Sequence, residues 1–234
     1  MSELTDPLLV INFKTYLEST GKRAVELSKK IETVGKTEGV KVAVAPQFCD
    51  LEKVATSVSI PVYAQHVDAV AAGAFTGHVL PESVKATGAE GTLINHSERQ
   101  ILLRDIDKVV ERARSAGLTT VVCAGTSKQA GAVSSLDADM VAIEPPELIG
   151  SGRAVSKENP EIIKDSVRKI RMVNQKVRIL CGAGITTGDD VYAALQLGSQ
   201  GFLIASGVVK APKPEDVMVD FCRAVRRFVQ GGRV

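Results

Sequence analysis

Apolar residues along this chain fall into short, β-rich runs separated by longer stretches of mixed polarity. The runs are Leu8–Ile11, Val40–Ala45, Val62–Ala64, Gly91–Ile94, Thr119–Cys123, Met140–Ile143, Arg178–Cys181 and Gly201–Ile204. Their starts recur about every 28 residues, close to the length of one strand-plus-helix unit. Several runs are nearly continuous in apolar character, as expected of strands buried on both faces of a parallel sheet.

The intervening segments carry helical periodicity. Gly21–Val34 sets Ala24, Leu27, Ile31 and Val34 on one face, with Lys, Arg and Glu opposite. Ile101–Ala116 and Asn159–Val173 repeat the pattern, and Pro160 falls where a first helical turn tolerates it. Asp189 and Asp190 open a helix carrying Val191, Ala194, Leu195 and Leu197, and Gly198 ends it. Only the helix between the fifth and sixth runs, Lys128 to Leu136, is short and poorly amphipathic. Eight strands alternating with helices, with no linker or composition break, predict one α/β domain over residues 1–234, closed as a (β/α)8 barrel. The rival is a doubly wound open sheet. A dinucleotide-binding sheet would want G-x-G-x-x-G after the first strand, and the residues there are Ile11-Asn12-Phe13-Lys14.

Composition narrows the picture further. The 234 residues are 44% hydrophobic and 24% charged, enough for a large core under an ordinary polar surface. A net charge of +2 gives no electrostatic footprint for nucleic acid or an anionic membrane. No apolar run approaches the length of a bilayer span, and MSELTDPLLV is acidic where a signal peptide is basic. Cys49, Cys123, Cys181 and Cys222 are far apart, without a C-x-x-C pair, which points to free buried thiols in a reducing cytoplasm. No metal site is expected from that spacing.

In a barrel of this kind reactive groups gather where strands end and lead into helices. Asn12 and Lys14 follow the first run, Asn95-His96-Ser97-Glu98 follow the fourth, and Glu144 ends the sixth. Glycine-rich turns follow the seventh (Cys181-Gly182-Ala183-Gly184) and the eighth (Ala205-Ser206-Gly207). Each has a plainer reading. A lysine after a strand is usually a solvated loop charge, and His66 and His78 read as structural. Glu144, at a buried strand end before Pro145-Pro146, is either salt-bridged or a base. Their joint placement on one rim favours chemistry.

Taken together, Asn12-Phe13-Lys14, Gly73-Ala74-Phe75-Thr76-Gly77, Asn95-His96-Ser97-Glu98-Arg99, Glu144-Pro145, Ile149-Gly150-Ser151-Gly152 and Gly201-Phe202-Leu203-Ile204 resemble the triosephosphate isomerase family in order and spacing. The resemblance spans nearly the whole chain and implies a TIM barrel that interconverts two triose phosphates without a cofactor. It implies Glu144 as the base, His96 as a neutral electrophile, and Lys14 and Asn12 against the reacting oxygen and the phosphate. The position of His96 just before an expected helix N-terminus would disfavour an imidazolium. Phosphate-binding amides are expected at Gly184 and Ala205-Ser206, joined by Ile149 and Gly150 from a hinged loop. Glu98 is expected either to support His96 or to form a surface salt bridge, and Thr76 to reach a neighbouring subunit.

The chain departs from the common family pattern at three places. Gly184 stands where a serine is frequent, Ala205-Ser206 where two glycines are, and Pro145-Pro146-Glu147 where Pro-x-Trp is. The trimmed fifth helix resembles the archaeal branch and implies a homo-oligomer, a tetramer, that buries the uncovered apolar surface. The rivals are another sugar-phosphate barrel, which would carry other acid–base pairs on the rim, and a non-catalytic barrel, which would lack Glu144, His96 or Lys14.

Overall fold

The structure is a computed structural model that describes residues 7–145 and 160–231. Eight strands appear among them: β1 (Leu8–Asn12), β2 (Lys41–Ala45), β3 (Tyr63–Ala64), β4 (Gly91–Ile94), β5 (Thr119–Ala124), β6 (Met140–Ile143), β7 (Arg178–Cys181) and β8 (Gly201–Ile204). All pairings are parallel, in the order β2-β1-β8-β7-β6-β5-β4-β3. A parallel bridge between Val44 and Val62, with the Val44 N–H donating to Pro61 O at 3.1 Å, joins the two ends of the sheet into a barrel. The open-sheet rival is thereby excluded.

The helices follow their strands: α1 (Lys22–Glu38), α2 (Leu51–Ala55), α3 (Pro81–Ala86), α4 (Leu103–Ser115), α5 (Ser127–Val133), α6 (Pro160–Val173), α7 (Gly188–Gln196), α8 (Ser206–Val209) and α9 (Pro214–Gly231). On α4, Ile106, Val109, Val110 and Ala113 face the sheet at the 3–4 spacing of one helical stripe. Burying each of the larger three contributes about 1.5–3 kcal/mol, so an aspartate at Val109 would break the contact. The α7 N-terminus is closed by a reciprocal cap: Thr187 accepts from the Asp190 N–H and Asp190 accepts from the Thr187 N–H. Asp189 and Asp190 therefore stand in the first turn of this helix, at the end they were expected to open.

Two apolar layers result from strand alternation. Outward residues such as Leu9, Ile11, Ile94 and Phe202 pack under the helices. Inward residues such as Leu8, Val10, Leu93, Val121, Ala142 and Leu180 fill the barrel. The short α5 does cover its share of the sheet. Ala130, Gly131 and Val133 are buried, and the missing side chain at Gly131 lets the Lys169 Cβ of α6 come within 3.3 Å of where a Cβ would be. Apolar surface is left instead at the end of α6, where Met172 and Val173 are exposed.

Candidate active site

The same alternation that fills the barrel delivers polar side chains to its C-terminal rim. After Leu8 and Val10, the next inward position on β1 is Asn12; after Met140 and Ala142 on β6 it is Glu144. Beyond Leu93 on β4 it is Asn95, with His96 following. Asn12, Lys14, His96 and Glu144 line one cavity, each 9% exposed or less. Gly182, Gly184, Ile185, Thr186 and the Leu203–Gly207 turn form its other wall.

Glu144 is tied by its backbone N–H to Ala124 O at 2.8 Å, and its side chain points into the cavity. Oε1 stands 3.4 Å from Nε2 of His96, while Oε2 is buried without a hydrogen-bond partner among the described residues. A buried carboxylate oxygen without a partner is costly, and the group that lies against this carboxylate is the Cys123 thiol. Gly182 makes room for it, since a Cβ there would fall 2.5 Å from the Glu144 Cγ. Beneath it lies Cys123. Burial, together with the adjacent Glu144 carboxylate, pushes that thiol well above its ordinary range, so it stays protonated.

The tautomer of His96 follows from its neighbours. The Glu98 backbone N–H donates to Nδ1 at 3.2 Å, so Nδ1 must accept and the ring proton sits on Nε2, facing the cavity. No helix end is involved, because α4 begins only at Leu103, beyond a turn over residues 97–99. The dipole expectation is therefore replaced by a local hydrogen bond. Lys14 occupies left-handed backbone at φ 47°, with its N–H bonded to Asn12 Oδ1 at 2.9 Å and its carbonyl accepting from Gln65 Nε2 at 2.9 Å. Its ammonium reaches Glu98 Oε1 at 2.7 Å. The Glu98 carboxylate, 56% exposed, thus lies between the Lys14 ammonium and Nδ1 of His96, 3.5 Å from the latter.

Gly184, Ala205 and Ser206 meet in the cavity wall, Gly184 with φ 69°. Thr76 does not; it is exposed on the loop after β3 and does not line this cavity. Ile149 and Gly150 lie outside the described residues. His66 is buried against Asp68 at 3.0 Å and His78 is exposed beside Phe75, both outside the cavity. Three cysteines are buried as expected, but Cys49 is exposed. Sequence reasoning did not place Leu203, Ile204, Ile185 or Thr186 in the cavity, and the inward parity of β8 could have found Leu203. Among the described residues no group of three or more His, Cys, Asp or Glu is placed to hold a metal ion.

A second groove, of about 380 Å³, adjoins Lys14 and His96 and is walled by Thr15, Gln47, Phe48, Cys49, Gln65, His66 and Arg99. No helix among the described residues is long and apolar enough to cross a membrane.

A family model for triosephosphate isomerase matches residues 7–225. The chain is 51% identical over 221 residues to the triosephosphate isomerase of Methanobacterium bryantii, covering 94% of this chain and 98% of that one. Identity is 48% over 218 residues with the protein of that name from Methanocaldococcus jannaschii (93% and 100% covered). It is 50% over 224 residues with that of Methanothermobacter thermautotrophicus (95% and 98%). Agreement over this length, joined to the barrel and its rim, means that the chain belongs to the triosephosphate isomerase family.

Proposed function

We propose that this chain interconverts dihydroxyacetone phosphate and D-glyceraldehyde 3-phosphate, as an isomerase of glycolysis and gluconeogenesis. The observation that carries the reading is the Glu144 carboxylate, 3.4 Å from Nε2 of His96 in a cavity that also holds Lys14.

The chemistry follows from those groups. A proton beside a carbonyl is weakly acidic, because its removal puts negative charge on oxygen. Glu144 takes the proton from the terminal hydroxymethyl carbon of dihydroxyacetone phosphate, and the electron pair moves onto the carbonyl oxygen as an enediolate. The Nε2–H of His96 and the ammonium of Lys14 stabilise that oxygen, with Asn12 orienting it. Preorganised donors of this sort are worth about 3–4 kcal/mol each. The hydroxyl proton then passes between the two oxygens with His96 as the relay. Glu144 returns its proton to the central carbon, giving the aldehyde. Carbon loses one proton and gains one, and the proton can exchange with solvent while Glu144 holds it, so no redox partner is consumed.

The phosphate is read as lying against Gly184 and Ala205-Ser206, where backbone amides can meet a dianion, with Lys14 nearby. Incubating the purified chain with dihydroxyacetone phosphate in heavy water tests the reaction. Glyceraldehyde 3-phosphate should accumulate to equilibrium with deuterium at its central carbon. No isomer above the protein-free rate would contradict it.

We read the chain as a homo-oligomer, a tetramer. The groove beside Lys14 would receive the exposed Gly73–His78 loop of a second copy, led by Phe75 and Thr76. The Met172–Val173 patch would serve a second contact. The four unpaired cysteines fit a reducing, cytoplasmic setting.

A further inference from the structure

We propose that Asn95 is the positioning residue that fixes His96 in register with Glu144. It follows β4 directly, with its backbone in the left-handed region at φ 59°, a conformation asparagine tolerates better than most residues. Its side-chain amide is used at both ends. Nδ2 donates to Cys123 O at 2.9 Å, and Oδ1 accepts from the Ile101 N–H at 2.9 Å. The orientation is not arbitrary, because a carbonyl can only accept and a backbone N–H can only donate.

One side chain therefore clamps the segment from His96 to Gln100 at its base. Inside that clamp the Arg99 N–H bonds to His96 O at 2.7 Å and the Glu98 N–H reaches His96 Nδ1 at 3.2 Å. The clamp's far anchor, Cys123, is the residue whose thiol lies against the Glu144 carboxylate. Asn95 thus links the strand beneath Glu144 to the turn that carries His96 and sets its tautomer. The 3.4 Å between His96 and Glu144 spans two strands that do not pair with each other, β4 and β6, and this amide is a direct bond from the β4 loop to β5 between them.

This role rests on the reading of His96 as the electrophile, and the experiment separates the two. Asn95→Gly keeps the left-handed backbone accessible and removes both bonds. Asn95→Asp keeps the acceptor for Ile101 and loses the donor to Cys123. Steady-state kinetics with glyceraldehyde 3-phosphate are read beside nitrogen NMR of the histidine rings, with His96→Gln assigning the His96 signals. For Asn95→Gly, kcat should fall about 10²-fold, the order expected of a 1 Å misplacement. KM should stay within about threefold, since the phosphate contacts are untouched. The His96 signals should change from one tautomer to a mixture. A folded variant with kcat within about twofold of native and an unchanged His96 tautomer would overturn the assignment. Should the glycine variant not fold, the same two readings on Asn95→Asp decide. If His96→Gln itself leaves turnover intact, it is the reading of His96 that fails.

Discussion

Nε2 of His96 and Oε1 of Glu144 face each other across 3.4 Å, brought there by β4 and β6 from either side of β5. This spacing is close enough for one substrate carbon and its oxygen to meet both groups. It is held from below by Cys123, from the β7 side by Gly182, and through the turn after β4 by Asn95. Proton abstraction needs that geometry more than it needs any single contact.

Gly182 gives the sharpest steric test. An alanine Cβ would sit 2.5 Å from the Glu144 Cγ and 3.0 Å from Oε1, so the carboxylate must move. Gly182→Ala should lower kcat about 10²-fold while thermal unfolding changes little. Kinetics and a melting curve on the same sample check both halves.

Lys14 and Glu98 form one ion pair, yet they should matter unequally. Lys14 is 9% exposed within the cavity and Glu98 is 56% exposed outside it. Lys14→Met removes the charge that faces the substrate, and kcat/KM should drop about 10²–10³-fold. Glu98→Gln loses an exposed pair and should cost about fivefold or less. Equal losses would place Glu98 nearer the chemistry than its exposure indicates.

Much of this architecture is legible in the amino-acid order, and the exceptions have physical reasons. The runs Gly91–Ile94, Met140–Ile143, Arg178–Cys181 and Gly201–Ile204 are strands with those same bounds, because buried parallel strands are written as unbroken apolar stretches. Asn12, Lys14, His96 and Glu144 do share a cavity, as strand ends in a barrel must. Loops are less legible. Nothing in Asn95-His96-Ser97-Glu98 says that a turn intervenes before α4, and the expected helix dipole at His96 gave way to the Glu98 N–H. Cys49 reads as a core thiol by residue type, but the 3-10 turn Phe48–Asp50 holds it on the surface. Local sequence does not encode which side of a short turn meets solvent.

Cysteine labelling tests the assembly. Burial lifts the Cys181 and Cys222 thiols to about 12 and holds Cys123 higher than usual, so none of the three should alkylate in the folded chain. Cys49 lines the groove assigned to a second copy. It should label slowly in the native oligomer and quickly, as a single adduct, in Phe75→Glu, which should also sediment as a smaller species. Rapid native labelling in an intact oligomer would mean that the groove stays open.

His66 and Asp68 predict an acid sensitivity confined to the loop after β3. Burial would raise the Asp68 carboxyl, but the Val79 N–H, His66 and Arg99 outweigh it and hold the group below its usual range. Its contribution is present at neutral pH and lost as pH falls through that lowered value. Burial, reinforced by the Arg99 charge, lowers the basicity of His66 despite Asp68. The unfolded chain then binds the proton more readily, so stability should begin to fall below about pH 6.5, the ordinary histidine value. His66→Asn should lose less melting temperature than the native chain between neutral and mildly acidic pH. An identical decline in both would remove His66 as the cause.

The most direct measurement compares the rate of glyceraldehyde 3-phosphate isomerisation by the native chain with that of Glu144→Gln, which keeps the shape of the side chain and abolishes its basicity. Rapid native turnover and a loss of several orders of magnitude in the folded variant are the predicted result. Equal rates, or no native turnover at all, would contradict the assignment of this cavity as an isomerase site with Glu144 as its base.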